Sequence, residues 1–422
     1  MDVNQSLGVY VSVPFCRAKC SFCNFASGVG KAGEIEAYVA RLCAEIQDCA
    51  ASAERLGGRL PQGANTVVDT VYFGGGTPSL LAPGQLQRVF AALWRSFDVA
   101  ADAEITLEAA PGQIAEDVLD AAMALGVNRV SLGVQSFVDR ECAAVGRLHS
   151  GEDCFREIRR LRAAGVAEVG ADLIAGLPYQ TAASWEQSLD VAVSLADTGS
   201  DGASALTHLS VYLLEVDEDS RLGREVMAGG QRFHAHGLPQ EELAVKLYER
   251  ACERLPAAGL AQYEISNFAR EGSRSRHNIK YWRREPYIGF GLDAHSMLLT
   301  DDGAVRFANA DELGEYMAAG TAGLSTWALR AFGRKDKSVV RVGPREAFEE
   351  TVFLGLRMCE GVAAERLRAE FRREWVAAFE EAAWELVPEG LMTEAEGRWR
   401  LTRRGRLVSN EVFGHLLEGV AA

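Results

Sequence analysis

Between residues 9 and 213 six strand-length apolar or alternating runs are separated by five stretches of helical spacing, and this regular exchange leaves few folds open. The strand-like runs are Val9 to Val13, Thr70 to Phe73, Ile105 to Glu108, Arg129 to Gln135, Val169 to Ile174 and His208 to Leu213. Helical spacing follows in Glu34 to Ala53, Gly84 to Phe97, Ala115 to Leu125, Glu152 to Ala164 and Thr181 to Leu195, two of these stopping just before Gly126 and Gly165. Strands joined through helices run parallel with right-handed crossovers, so an α/β sheet is expected, curled toward a barrel or left open. Periodicity does not separate those two. In such sheets ligands collect beyond the carboxyl ends of the strands, and every motif below is expected there.

After Leu324 the pattern changes. Arg345 to Met358, Ala363 to Leu386 and Leu401 to Leu417 read as helices, and Gly390 to Leu401 as a hairpin turning at Glu396 and Gly397. Helices with one hairpin point to a small winged-helix-like module, its boundary falling between residues 325 and 345. Residues 1–240 then form the core, 241–335 an extension of it, and 336–422 the module.

The formal charge is -15, so phosphate backbones and anionic lipid would repel the chain, and no nucleic-acid partner is expected. The start, Met1 to Gly8, lacks the basic flank and apolar run of a leader, and no apolar stretch reaches the roughly 20 residues that cross a bilayer. The nine cysteines are odd in number and three crowd into eight positions, which fits a metal site in a reducing compartment better than a disulfide framework. A cytoplasmic protein is expected, with peripheral contact at membrane partners. The other six, Cys43, Cys49, Cys142, Cys154, Cys252 and Cys359, read as small, mostly buried apolar residues.

Cys16, Cys20 and Cys23 directly follow the first strand, in a loop opened by Pro14. Soft thiolates hold iron-sulfur clusters, and four is the usual complement. Three local thiolates serve three irons of a cubane and leave one free to chelate a small molecule, as an open position does in catalytic zinc sites. A structural zinc ion with Cys43 or a histidine as fourth ligand is the alternative from spacing alone. The CxxxCxxC spacing, with Phe22 just before the last cysteine, resembles the signature of radical SAM proteins, which implies a 4Fe-4S cluster, S-adenosylmethionine (SAM) and a partial (β/α)6 barrel. Gly74-Gly75-Gly76-Thr77-Pro78-Ser79, after the second strand, resembles the glycine motif that holds the methionine end of SAM in that superfamily. Read alone, it is a sharp strand-to-helix turn without the ending of a phosphate-binding loop.

The run from Tyr10 to Phe307 is similar to the family of oxygen-independent coproporphyrinogen III oxidase and its relative, the bacterial heme chaperone. Glu349-Glu350-Thr351, Leu356-Arg357 and Leu401 to Gly405 extend the likeness into the module. The resemblance assigns Tyr10, Phe22, Gly75, Gly76, Thr77, Glu108, Gln135, Arg147 and Asp172 to SAM. Arg147 would offer a forked donor to a carboxylate, and Glu108 and Asp172 acceptors for an ammonium or ribose hydroxyls. Two departures point to the chaperone branch: Phe25 stands where the oxidase has a fourth cysteine, and only 15 residues precede Cys16.

His277-Asn278-Ile279-Lys280-Tyr281-Trp282 resembles the HNxxYW motif of that branch, and Tyr263 to Ala269 precedes it with a similar stretch. The likeness assigns heme to His277, Asn278, Tyr281 and Trp282, the imidazole as axial ligand and the rings as stacking surfaces. Weaker cases fall on His149, His208, His234, His236, His295 and His415. The implied function is a heme chaperone that binds heme, cluster and SAM and passes heme to apo-proteins, membrane-bound respiratory enzymes among them; a homodimer is within expectation. The alternatives are the oxidase reaction of porphyrin biosynthesis and a related radical SAM methyl transfer.

Overall fold

The computed structural model describes residues 6–55, 58, 60, 66–197, 204–301, 303–318 and 339–421, so most of the expected boundary region and the start of the chain lie outside the described residues. Six strands, β1 (Leu7–Val13), β2 (Val67–Gly75), β3 (Asp98–Ala109), β4 (Arg129–Gln135), β5 (Glu168–Ala175) and β6 (His208–Leu213), lie in chain order with every neighbouring pair parallel. The barrel is partial. Past β6 the short strands β7 (Ala261–Gln262) and β8 (Asn267–Ala269) run antiparallel, β8 pairing with β6. On the other side β9 (Tyr287–Phe290) adds parallel to β1, followed by antiparallel β10 (His295–Leu299), β11 (Ala304–Ala308) and β12 (Val339–Val342), which completes a twelve-stranded sheet.

Strand alternation sorts the side chains. In β1, Val9, Val11 and Val13 are fully buried in one cluster with Val39, Leu42 and Ile46 of the helix Ala32–Gln47. Tyr10 points to the other face, where its ring stacks on Tyr72 with centroids 6.1 Å apart. Glu104, Thr106 and Glu108 of β3 alternate in the same way with the apolar Ile105 and Leu107. The outer face of the sheet is therefore a hydrophobic core under the helices, and the inner face is polar.

The helix Arg276–Arg283 lies across the amino ends of these strands. Its Lys280 ammonium bonds Ser6 O at 3.1 Å and pairs with Asp69 at 2.9 Å. The Arg276 and His277 amides each donate to the Glu104 carboxylate at 3.0 Å, and the Ser275 hydroxyl accepts from the Asn278 amide. A buried carboxylate facing the free amides and positive end of a helix holds it in place. The expectation that every motif falls at the carboxyl ends is thus corrected: the HNxxYW motif sits at the opposite end, drawn there by Glu104.

The C-terminal module has its own core, with Phe348, Leu356, Leu367, Phe379 and Trp399 all buried, and a small sheet of β13 (Val362–Ala363), β14 (Met392–Ala395) and β15 (Arg398–Leu401). The β14–β15 turn places Glu396 and Gly397 at φ 55° and 71°, the left-handed pair of a tight hairpin. Three stretches expected as single helices are each split. Ala363 to Leu386 becomes Ala364–Glu370 and Arg373–Leu386, because Phe371 takes an extended backbone and its ring packs 5.3 Å from Phe348. Glu34 to Ala53 breaks at Asp48 and Leu401 to Leu417 at Val408. Glu350 ties the module to the barrel, pairing with Arg284 at 2.8 Å and Arg306 at 2.9 Å. Among the described residues no helix is long and apolar enough to cross a membrane.

Candidate cluster and cofactor site

The cysteine loop leaves the carboxyl end of β1 and closes on itself through the Cys16 amide bonding Gly28 O at 2.8 Å and the Gly28 amide bonding Pro14 O at 2.9 Å. Beside it the glycine turn ends β2. The Gly76 amide donates to Val13 O at 2.9 Å and the Thr77 amide to Phe15 O at 2.8 Å. A side chain at Gly76 would stand 2.7 Å from Phe15 O, so only glycine allows the two loops this close an approach.

Each of the three sulfurs meets a different polar group. The Thr77 hydroxyl donates to Cys16 Sγ at 3.6 Å, Arg147 Nη1 donates to Cys20 Sγ at 3.5 Å, and Cys23 Sγ lies 3.9 Å from Ser27 Oγ. Hydrogen bonds to sulfur orient thiolate ligands and tune an iron-sulfur centre. Burial pushes the Cys16 thiol up, so a thiolate there needs a cation beside it. The soft donor set, the separate partners and the open side facing a cavity fit a cluster held by three protein ligands. Phe25, at the place of a fourth cysteine, is 63 % exposed at the cavity rim.

That cavity, about 600 Å³, is lined by Cys16, Cys20, Cys23 and Phe22, by Gly75, Gly76 and Thr77, and on its other walls by Glu108, Gln135, Arg147 and Asp172. Tyr10 does not line it, but touches the same network: Tyr10 stacks on Tyr72, whose hydroxyl donates to Glu108 at 2.8 Å. Burial above all, with Asp172 adding repulsion, pushes the Glu108 carboxyl up to about 7. Burial also raises Asp172, to about 6, against the opposing pull of Ser210 and Arg147. Arg147 hydrogen-bonds Gly133 O through Nη2, while its buried Nε has no hydrogen-bond partner. Gln135 holds φ 69° where the β4–β5 register shifts. A non-glycine residue in that conformation aims its side chain at the cost of backbone strain. Sequence reasoning missed the far wall, where Tyr212, Tyr248, Arg357 and Arg406 face the same cavity from β6, the helix Glu241–Ala257 and the module. No local pattern marks them.

The heme-motif residues are not gathered in this cavity. His277 is buried, its Nδ1 2.9 Å from Thr70 Oγ1 and its Nε2 2.8 Å from the Tyr281 hydroxyl, with its ring stacked on Tyr72. Both ring nitrogens are therefore occupied in this conformation. Trp282 lies on another side of the helix, where the Arg357 guanidinium sits 4.5 Å over its ring, and half-buried Asn278 is next to His277. Burial drives His277 down to about 3, so it is a neutral imidazole.

Cys43 packs against the main hydrophobic core and is not part of the cavity wall, so a zinc site completed by Cys43 is not formed. Cys49, Cys142 and Cys154 are buried, and Cys43, Cys252 and Cys359 half-buried.

A family model described as the radical SAM superfamily matches residues 10–192, and one described as the HemN C-terminal domain matches residues 342–408. Heme chaperone HemW of Bacillus subtilis (strain 168) is 32% identical over 97% of this chain and 98% of its own length. Heme chaperone HemW of Escherichia coli (strain K12) is 30% identical, covering 96% of this chain and 97% of its own. Among solved structures, coproporphyrinogen III oxidase (HemN) from Escherichia coli, described as a radical SAM enzyme, superposes with a TM-score of 0.77 over 98% of this chain and 90% of its own, at 24% identity.

Proposed function

The chain belongs to the HemW heme chaperone family within the radical SAM superfamily, and from that membership we propose that it binds heme and delivers it to heme-requiring apo-proteins, membrane-bound respiratory enzymes among them. We propose further that Cys16, Cys20 and Cys23 hold a 4Fe-4S cluster and that SAM occupies the cavity beside it. The observation that carries this reading is the arrangement of three sulfurs, each with its own polar partner, opening onto a wall of Glu108, Gln135, Arg147 and Asp172.

When bound, the cluster supplies one iron without a protein ligand, able to chelate the amino-acid end of SAM. The chain's own residues do the rest. Gly75, Gly76 and Thr77 bring backbone close to the cysteine loop, and Phe22 gives the cavity an apolar surface beside Ile174 and Leu214. Arg147 has one buried nitrogen left for a carboxylate, while Glu108 and Asp172 offer acceptors to an ammonium or to ribose hydroxyls. Tyr10 steadies Glu108 through Tyr72. Phe25 offers no thiolate, and this weighs against the oxidase reaction.

For heme, His277, Asn278, Tyr281 and Trp282 carry the family's motif. His277 would hold the iron through a ring nitrogen, which would have to give up its present contact with Thr70 or Tyr281.

The test is anaerobic reconstitution with iron and sulfide, followed by parallel assays of hemin binding, hemin transfer to an apo-protein, 5′-deoxyadenosine and protoporphyrinogen. Stoichiometric hemin uptake and transfer, without protoporphyrinogen formation from coproporphyrinogen, are expected. Failure to take up hemin would overturn the chaperone reading. A His277→Ala variant with unchanged equilibrium spectrum and affinity would remove the motif's assigned part.

A further inference from the structure

Away from the cavity, the turn after β5 and the segment Arg232–Gly237 bring together three side chains suited to iron. Tyr179, Phe233 and His234 hold φ of 67°, 53° and 59°. Three non-glycine residues in the left-handed region within one small contact is costly, on the order of 1 kcal/mol each, and persists only where the surroundings enforce it. At Tyr179 the turn is held by its amide donating to Gly237 O at 2.6 Å. The result is a single convergence: the Tyr179 hydroxyl lies 2.9 Å from His234 Nδ1 and 3.0 Å from His236 Nε2.

A phenol has one proton to give. If it donates to His236 Nε2, its oxygen accepts the Nδ1 proton of His234, which leaves His234 Nε2 as a bare lone pair on an exposed ring. A ring fixed through one nitrogen and open at the other is how proteins present a metal-ligating histidine. Neutral imidazole is also an axial ligand of heme iron.

The surroundings fit the rest of the heme molecule. Phe233 offers a half-buried ring, with the guanidinium of Arg221 at 5.2 Å and that of Arg232 at 5.3 Å from its centroid, and Arg140 stands 4.2 Å over Tyr179. Three guanidinium groups around one contact suit two propionates, beside a Glu225 carboxylate that already accepts from the Arg232 amide at 3.0 Å. Arg221 also donates to Lys19 O, Leu222 bonds Ser21 O at 2.8 Å, and Arg221 Nε is buried without a hydrogen-bond partner. The cluster thus adjoins the cysteine loop, at the carboxyl end of the barrel.

We propose that His234 Nε2 is the first ligand of incoming heme iron, in an exposed capture site positioned by Tyr179 and His236 and with Arg140, Arg221 and Arg232 facing the propionates. This inference rests on the heme-chaperone reading. It adds to that reading a point of entry that is available while His277 is locked.

Rapid mixing of the reconstituted full chain with hemin tests it, following the Soret band from the first spectrum to equilibrium. The wild type is expected to show an early complex that His234→Ala slows by at least about tenfold, the usual scale for losing a ligand or its support. Tyr179→Phe is expected to retain the early complex with an altered spectrum. An early phase in His234→Ala identical to the wild type overturns the capture site alone. A wild type that takes up no hemin overturns the chaperone reading and the site together. Because His234 is exposed, its loss leaves the fold intact, which circular dichroism verifies.

Discussion

Arg147 joins the cysteine loop to the wall of the cavity: one nitrogen reaches the Cys20 sulfur, one the Gly133 carbonyl, and the third is buried without a hydrogen-bond partner. Arg147→Lys keeps the charge but loses the fork. It is expected to weaken SAM binding by about tenfold, the loss of roughly one charge-assisted hydrogen bond, while the cluster still assembles. Calorimetric titration of the reconstituted variant measures this, and undiminished affinity would count against the assignment. The two carboxyls make binding depend on pH. Glu108 is raised to about 7 and Asp172 to about 6 by burial, among Tyr10, Tyr72, Tyr212, Arg129 and Arg147. A raised carboxyl pKa keeps the proton on the folded, ligand-free protein, so these groups cost stability as pH climbs from ordinary carboxyl values through the raised ones. A cationic ligand favours the ionised forms. SAM affinity is therefore expected to rise with pH from about 5 to about 7 and then level, with proton release visible in buffers of different ionisation heat. Cys16, Cys20, Cys23 and the glycine turn were legible because their partners lie close in sequence or in a known motif. Thr77 on Cys16 or Tyr72 on Glu108 was not, since such contacts depend on which strands become neighbours.

The helix Arg276–Arg283 is held by a carboxylate 172 positions earlier in the chain, and this explains why its place at the amino ends escaped the sequence. Periodicity reveals an apolar stripe, whereas this helix is seated by polar contacts. Glu104 also lies 3.7 Å from buried Arg129, so Glu104→Gln removes one partner of a buried pair and weakens two amide bonds. A loss on the order of 3 kcal/mol in urea unfolding is expected. His277 gives the same helix an acid limit. Its folded pKa is near 3 through burial and the charge of Lys280, opposed by Asp69, with uncharged Thr70 and Tyr281 on its two nitrogens. The unfolded chain takes up a proton below the ordinary value near 6.5 and the folded chain does not, so stability falls as pH drops from there toward about 3. His277→Gln is expected to flatten that part of a denaturation series. The six parallel strands were legible from alternation. The helix break at Phe371 was not, because burial against Phe348 overrides a helical spacing.

At the scale of the whole molecule, the module supplies part of the cavity wall through Arg357 and Arg406, so its seating bears on the site. Glu350 compensates both Arg284 and Arg306 at that junction. Glu350→Ala leaves two half-buried cations with less to balance them. It is expected to speed amide hydrogen exchange along Pro344–Arg357 and in β11 before it affects β1 to β5. Unchanged exchange there would show that apolar packing alone seats the module. The existence of the module was readable from its change of pattern, but its docking was not, because spacing tells which face is apolar and not what that face will meet. The helix lodged across the amino ends also turns the interior into a blind alley. A small molecule seated beside the cysteine loop therefore comes and goes at the carboxyl end, past the exposed ring of Phe25.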